Sequence, residues 1–219
     1  MKKVIFVIVL FLSCYVIYNI TEDNRVNYMA LGDGISYGYK DLVSDYLFDS
    51  KRLGNYNDSF VDSSYRITDL INKIKYNDYV VLGNERVYIN RVLKEADIIT
   101  LSIGNNELYY KLSLDNVGIY EYIENMLSDI DILFKEINRY NHKLVFVTGF
   151  YNFFGDNSDL INYINLKIES MADEEGFIFI DISFLNDRYN FFDETQTIWP
   201  NMSGYNKIFQ IILEKMKLY

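Results

Sequence analysis

The feature that most constrains this chain is a rhythm of short apolar runs alternating with longer amphipathic stretches. Residues 28–31, 59–62, 98–103, 144–148 and 177–180 read as strands, and four of the five are unbroken apolar runs. Continuous apolar strands need cover on both faces, because alternation would otherwise leave one side polar. Helices are expected at about 40–51, 66–74, 84–95, 119–140, 159–174 and 203–216. In the fourth, Ile123, Met126, Leu127, Ile130 and Leu133 recur at helical spacing. Gly176 just beyond the fifth reads as a helix stop.

Strands alternating with helices predict an α/β fold with three layers and a sheet of about five parallel strands, joined by right-handed crossovers. In such sheets the functional groups gather at the carboxyl ends of the strands. Those ends are Gly32-Asp33-Gly34, Ser63-Ser64, Gly104-Asn105-Asn106 and Gly149-Phe150-Tyr151-Asn152.

The N-terminus has a different character. Lys2 and Lys3 precede an apolar run over residues 4–20, followed by Glu22 and Asp23. The run would make about 25 Å of helix, enough to span a bilayer, and the flanking charges put the remaining chain outside. Residues 1–25 are thus expected to be a signal anchor, with residues 26–219 forming one extracytoplasmic domain. Two alternatives stand beside it: lipidation at Cys14 within Phe11-Leu12-Ser13-Cys14, or a cleaved secretory signal. All three bring the domain to the outer side of the membrane.

Composition excludes several chemistries. A net charge of −10 repels phosphate backbones and argues against nucleic acid as a partner. Cys14 is the single cysteine, so no intrachain disulfide forms, and His142 is the single histidine. Neither a clustered metal site nor a cofactor is implied.

The strand ends carry a pattern that resembles the SGNH, or GDSL-type, family of esterases and lipases over most of residues 27–218. Ala30-Leu31-Gly32-Asp33-Gly34-Ile35-Ser36 resembles the family's G-D-S-x-S turn, with Gly34 at the nucleophile. Ser64 falls at the second block, and Gly104-Asn105-Asn106-Glu107 resembles G-x-N-D. Gln196-Thr197-Ile198-Trp199-Pro200-Asn201-Met202-Ser203-Gly204-Tyr205 resembles D-x-x-H-P-N-x-x-G-Y, with Gln196 at the acid and Trp199 at the base. The resemblance implies a flavodoxin-like α/β/α fold. It also implies a remnant pocket of Asp33, Gly34, Ser64, Gly104, Asn106 and Trp199, in which Gly34 N–H, Ser64 N–H and the Asn106 amide stand at the oxyanion-hole positions.

Three substitutions at three blocks remove the chemistry. A serine hydroxyl is a weak nucleophile until a neighbouring base takes its proton, and that base needs an acid to orient it. Glycine has no side chain, and an indole has one N–H donor and no basic nitrogen. Ser36 and Ser203 are the nearby hydroxyls, and Asp193 and Glu194 the nearby carboxylates, but no base accompanies them. Three readings follow: a pseudo-hydrolase that binds an acylated or acetylated envelope ligand or a partner protein, an atypical esterase or deacetylase, or a purely structural tethered protein.

Overall fold

A computed structural model describes residues 25–114, 117–140, 144–155, 157–193 and 198–217. The expected anchor, Cys14, His142, Glu194 and Gln196 lie outside these residues. Among the described residues no helix is long and apolar enough to cross a membrane.

The chain runs β1 (Val26–Gly32), α1 (Gly34–Asp49), β2 (Leu53–Val61), α2 (Ile67–Lys75), β3 (Tyr79–Leu82), β4 (Glu85–Tyr88) and α3 (Ile89–Glu95). It continues through β5 (Ile98–Ser102), α4 (Asn105–Leu114), α5 (Ile119–Asn138), β6 (Leu144–Thr148), α6 (Ser158–Glu174) and β7 (Ile178–Ile180). A 3-10 turn (Ser183–Asn186), α7 (Arg188–Phe191) and α8 (Met202–Met216) complete it.

Five strands form one sheet in the order β2-β1-β5-β6-β7, every neighbouring pair parallel. The sequence placed all five. Their apolar runs are buried as double cover requires: every residue of β5 is buried, and so are Met29, Ala30 and Leu31 in β1. Helices α1 and α8 pack together, while α2, α5 and α6 pack in series, giving the two outer layers. The strand order reverses direction between β1 and β5, so their carboxyl ends flank the crevice where open α/β sheets bind ligands.

Three local expectations change. Helix α1 begins at Gly34, not near residue 40, because the Asp33 side chain caps it by accepting from Ile35 N–H at 3.1 Å. Residues 85–88, expected in a helix, pair antiparallel with β3 as a hairpin turning at Gly83-Asn84, which leaves α3 only seven residues. Helix α4 starts directly at Asn105, where a loop was expected.

Candidate functional site

The site is built where β1 hands over to α1. Gly32 ends β1 at φ +121, and a Cβ there would stand 1.8 Å from Ser102 O, so only glycine lets β1 and β5 approach this closely. The close approach brings Asp33 onto the end of β5. Its Oδ1 accepts from Ser102 Oγ at 2.9 Å, and its Oδ2 accepts from Asn105 N–H at 3.2 Å and Asn105 Nδ2 at 3.0 Å. Asp33 is fully buried, and burial raises its pKa, partly offset by the Asn105, Ser102 and Ile35 hydrogen bonds that favour the ion. Asn105 and Ser102 were missed as site residues in the sequence, although Asn105 lies in the quoted Gly104-Asn105-Asn106 strand end and Ser102 in the expected strand 98–103.

Gly34 opens α1, the position at which a nucleophile would stand. The space beside it holds the half-buried Trp199: a Cβ on Gly34 would lie 2.7 Å from the indole Cε2 and Cζ2. The segment carrying Trp199 is fixed on both sides. Tyr151 donates its hydroxyl to the Ile198 carbonyl, Pro200 is buried, and Asn201 caps α8 by accepting from Gly204 N–H at 3.1 Å. Tyr205 lies across Gly38, where a Cβ would come within 2.0 Å of its ring, and donates to Gly34 O at 3.4 Å. The structure thus brings Gly34 and Trp199 together. Gln196 lies outside the described residues.

Two of the three expected oxyanion donors point elsewhere. Asn106 spends both amide hydrogens on the Ser63 and Tyr65 carbonyls, at 2.8 and 2.9 Å. Ser64 turns its N–H and its hydroxyl onto Asp62 Oδ1, at 2.8 and 2.6 Å, which lowers the Asp62 pKa. The next residue, Glu107, accepts from Ile67 N–H at 2.6 Å at the start of α2. Asn106 and Glu107 therefore act as two jaws gripping residues 63–67. Gly104, at φ +98, seats them: a Cβ would stand 2.8 Å from Phe150 Cζ. Burial raises the Glu107 pKa, and its Oε2 has no hydrogen-bond partner among the described residues.

Two serines near these segments differ in exposure. Ser36 is fully buried, donating to Leu31 O at 2.8 Å and lying 3.3 Å from the Tyr39 hydroxyl. Ser203 is exposed on the first turn of α8, and Asp193 is exposed beyond α7. The single histidine, His142, is outside the described residues, two positions before the residue that opens β6 at the amino end of the sheet. Among the described residues there is no group of three or more acidic, histidine or cysteine side chains able to hold a metal ion.

No protein-family model matches this sequence, and no curated protein matches it. Solved structures do. A lipase, Lip_vut3 from a goat rumen metagenome, superposes with a TM-score of 0.71 at 15% identity, covering 86% of this chain and 96% of that one. The acetylxylan esterase Axe2 from Geobacillus stearothermophilus gives 0.65 at 15% identity, covering 86% and 93%. LAE5, an alpha/beta hydrolase enzyme from the metagenome of Lake Arreo, Spain, gives 0.60 at 20% identity, covering 86% and 94%. At these identities the likeness is one of architecture: the chain carries the hydrolase-like α/β fold that these esterases and lipases share.

Proposed function

We propose that this chain is a pseudo-hydrolase on an SGNH-type esterase fold, tethered to the membrane with its domain on the extracytoplasmic side. It acts by binding, its partner being an acylated envelope glycan or another envelope protein. The observation that carries this reading is the indole of Trp199 lying against Gly34. Ester hydrolysis by this fold needs a nucleophile and a base in hydrogen-bond reach, and this pair supplies neither. The commitments of Asn106 and Ser64 support the same reading, because they leave the developing oxyanion without two of its donors.

The test is hydrolysis of 4-nitrophenyl acetate by the full-length protein in detergent, with a Ser36→Ala variant alongside. Wild type and variant are expected to match the buffer rate. A wild-type rate well above background that vanishes in Ser36→Ala would make the chain an atypical esterase. The tether is tested separately: protease added to spheroplasts should digest the domain, and a protected domain would reverse the orientation.

A further inference from the structure

A cavity of about 310 Å³ lies at the amino ends of β1 and β2, under the β3–β4 hairpin and beside α3. The fold explains why it is open. Helix α3 has seven residues, about 10 Å of helix, whereas β2 has nine, about 30 Å of strand. The short helix leaves the amino half of β2 uncovered on that face, where Gly54 and Asn55 are exposed. At this volume the cavity stands at the lower end of small-molecule sites, which run about 300–1,000 Å³. The Gly34 site lies at the other end of the same strands.

The floor is apolar: the half-buried Val87 and Val92 face the opening, with Met29 and Ala96 buried beneath them. The rim on the sheet side is a row of amides. Strand alternation puts Asn55 and Asn57 on one face of β2, next to Asn27 of β1. Asn27 is committed: its Nδ2 donates to Glu95 O at 2.9 Å, and its Oδ1 accepts from Asn55 N–H at 3.0 Å and Asn55 Nδ2 at 3.1 Å. This fixes the row and leaves groups unspent. Asn57 uses only its Oδ1, on Ser59 N–H at 3.2 Å, and Asn55 Oδ1 has no partner among the described residues.

The opposite rim is charged but balanced. Arg91 Nε binds Glu95 Oε1 at 2.9 Å, leaving the two terminal guanidinium nitrogens for a ligand. Arg86 lies over the Tyr79 ring at 4.7 Å, next to Glu85. Two arginines and two glutamates cancel, so neither an anion nor a metal cation meets a net opposite charge. What fits is a neutral molecule with many hydroxyls on its edge and an apolar face for the floor. Planar guanidinium and amide groups bind such paired hydroxyls in a bidentate way.

We propose that this cavity is a binding site for a neutral saccharide of one or two rings. Asn55, Asn57 and Arg91 take its hydroxyls, and Val87 and Val92 take its C–H face. The site is independent of whether Gly34 and Trp199 support hydrolysis.

The experiment is calorimetric titration of the full-length protein, held in a detergent without a sugar headgroup, with cellobiose, N,N′-diacetylchitobiose and maltose. Saturable binding of at least one is expected, weakened about tenfold by Asn57→Ala and by Arg91→Ala, with both variants still melting cooperatively. Absence of saturable binding by all three sugars would overturn the proposal. So would binding undiminished in both variants, or a preference for glucuronic acid over the neutral sugars. The hydrolysis assay bears only on the Gly34 site, so the two readings fail separately.

Discussion

Trp199 and Gly34 compete for one volume: the indole Cε2 and Cζ2 stand 2.7 Å from where a Cβ on Gly34 would be. Trp199 is also the only tryptophan in the chain, so its fluorescence reports this contact alone. Gly34→Ser should push the ring outward, red-shift the emission and cost about 1–3 kcal/mol as overpacking. An unchanged spectrum together with an unchanged melt would mean that the ring does not rest on Gly34.

On the proposed reading, hydrolysis should take more than three replaced side chains. Gly34→Ser alone has no base and should remain at background, since general-base help is worth about 10²–10⁴ in rate. Gly34→Ser with Trp199→His and Gln196→Asp restores nucleophile, base and orienter. It should still turn over 4-nitrophenyl acetate only faintly, because the Asn106 amide is committed to Ser63 O and Tyr65 O. A lost oxyanion donor alone costs about 10²–10³ in kcat. Strong turnover by the single Gly34→Ser variant would overturn this account.

Asn106→Ala should act on the loop it holds. The Ser63 and Tyr65 carbonyls lose their donors, so we expect about 1–3 kcal/mol of destabilisation and faster proteolytic nicking within residues 62–67. Equal nicking rates in variant and wild type would show that Asn106 does not secure this segment.

Glu107 should make stability depend on pH with a definite sign. Burial raises its pKa in the folded domain, so protonation is easier folded than unfolded. Its stabilising contribution is complete below the unfolded value of about 4.3 and is lost as pH rises through the folded value. Melting temperatures of wild type and Glu107→Gln, compared at pH 4 and pH 7, should show wild type losing ground to the variant at the higher pH. A difference that does not change with pH would contradict a desolvated carboxyl.

The sheet was legible in the sequence because its strands are covered on both faces and so advertise themselves as apolar runs. The hairpin was less so. Tyr79–Leu82 is largely exposed, and Glu85–Tyr88 mixes charge with apolar side chains, so neither bears a core signature. The turn at Gly83-Asn84 was the available signal. Helix α1 was expected too late because Gly34, Ser36 and Gly38 look like loop residues; burial of the first two and the Tyr205 ring over the third explain them. At the site, positions were readable but directions were not. Where the Asn106 amide points depends on carbonyls 43 and 41 residues away.

Asp33 joins four donors on two segments: Ile35 N–H, the Ser102 hydroxyl, and the backbone and side-chain N–H groups of Asn105. None of those contacts makes or breaks an ester bond. A lineage that abandoned the chemistry would still be held to this aspartate, because replacing it with an apolar residue would strand all four donors inside the protein. Finding such a glycine-aspartate turn in another chain therefore testifies to ancestry of shape. Whether an enzyme is present depends on the nucleophile, base and orienting acid set around that turn.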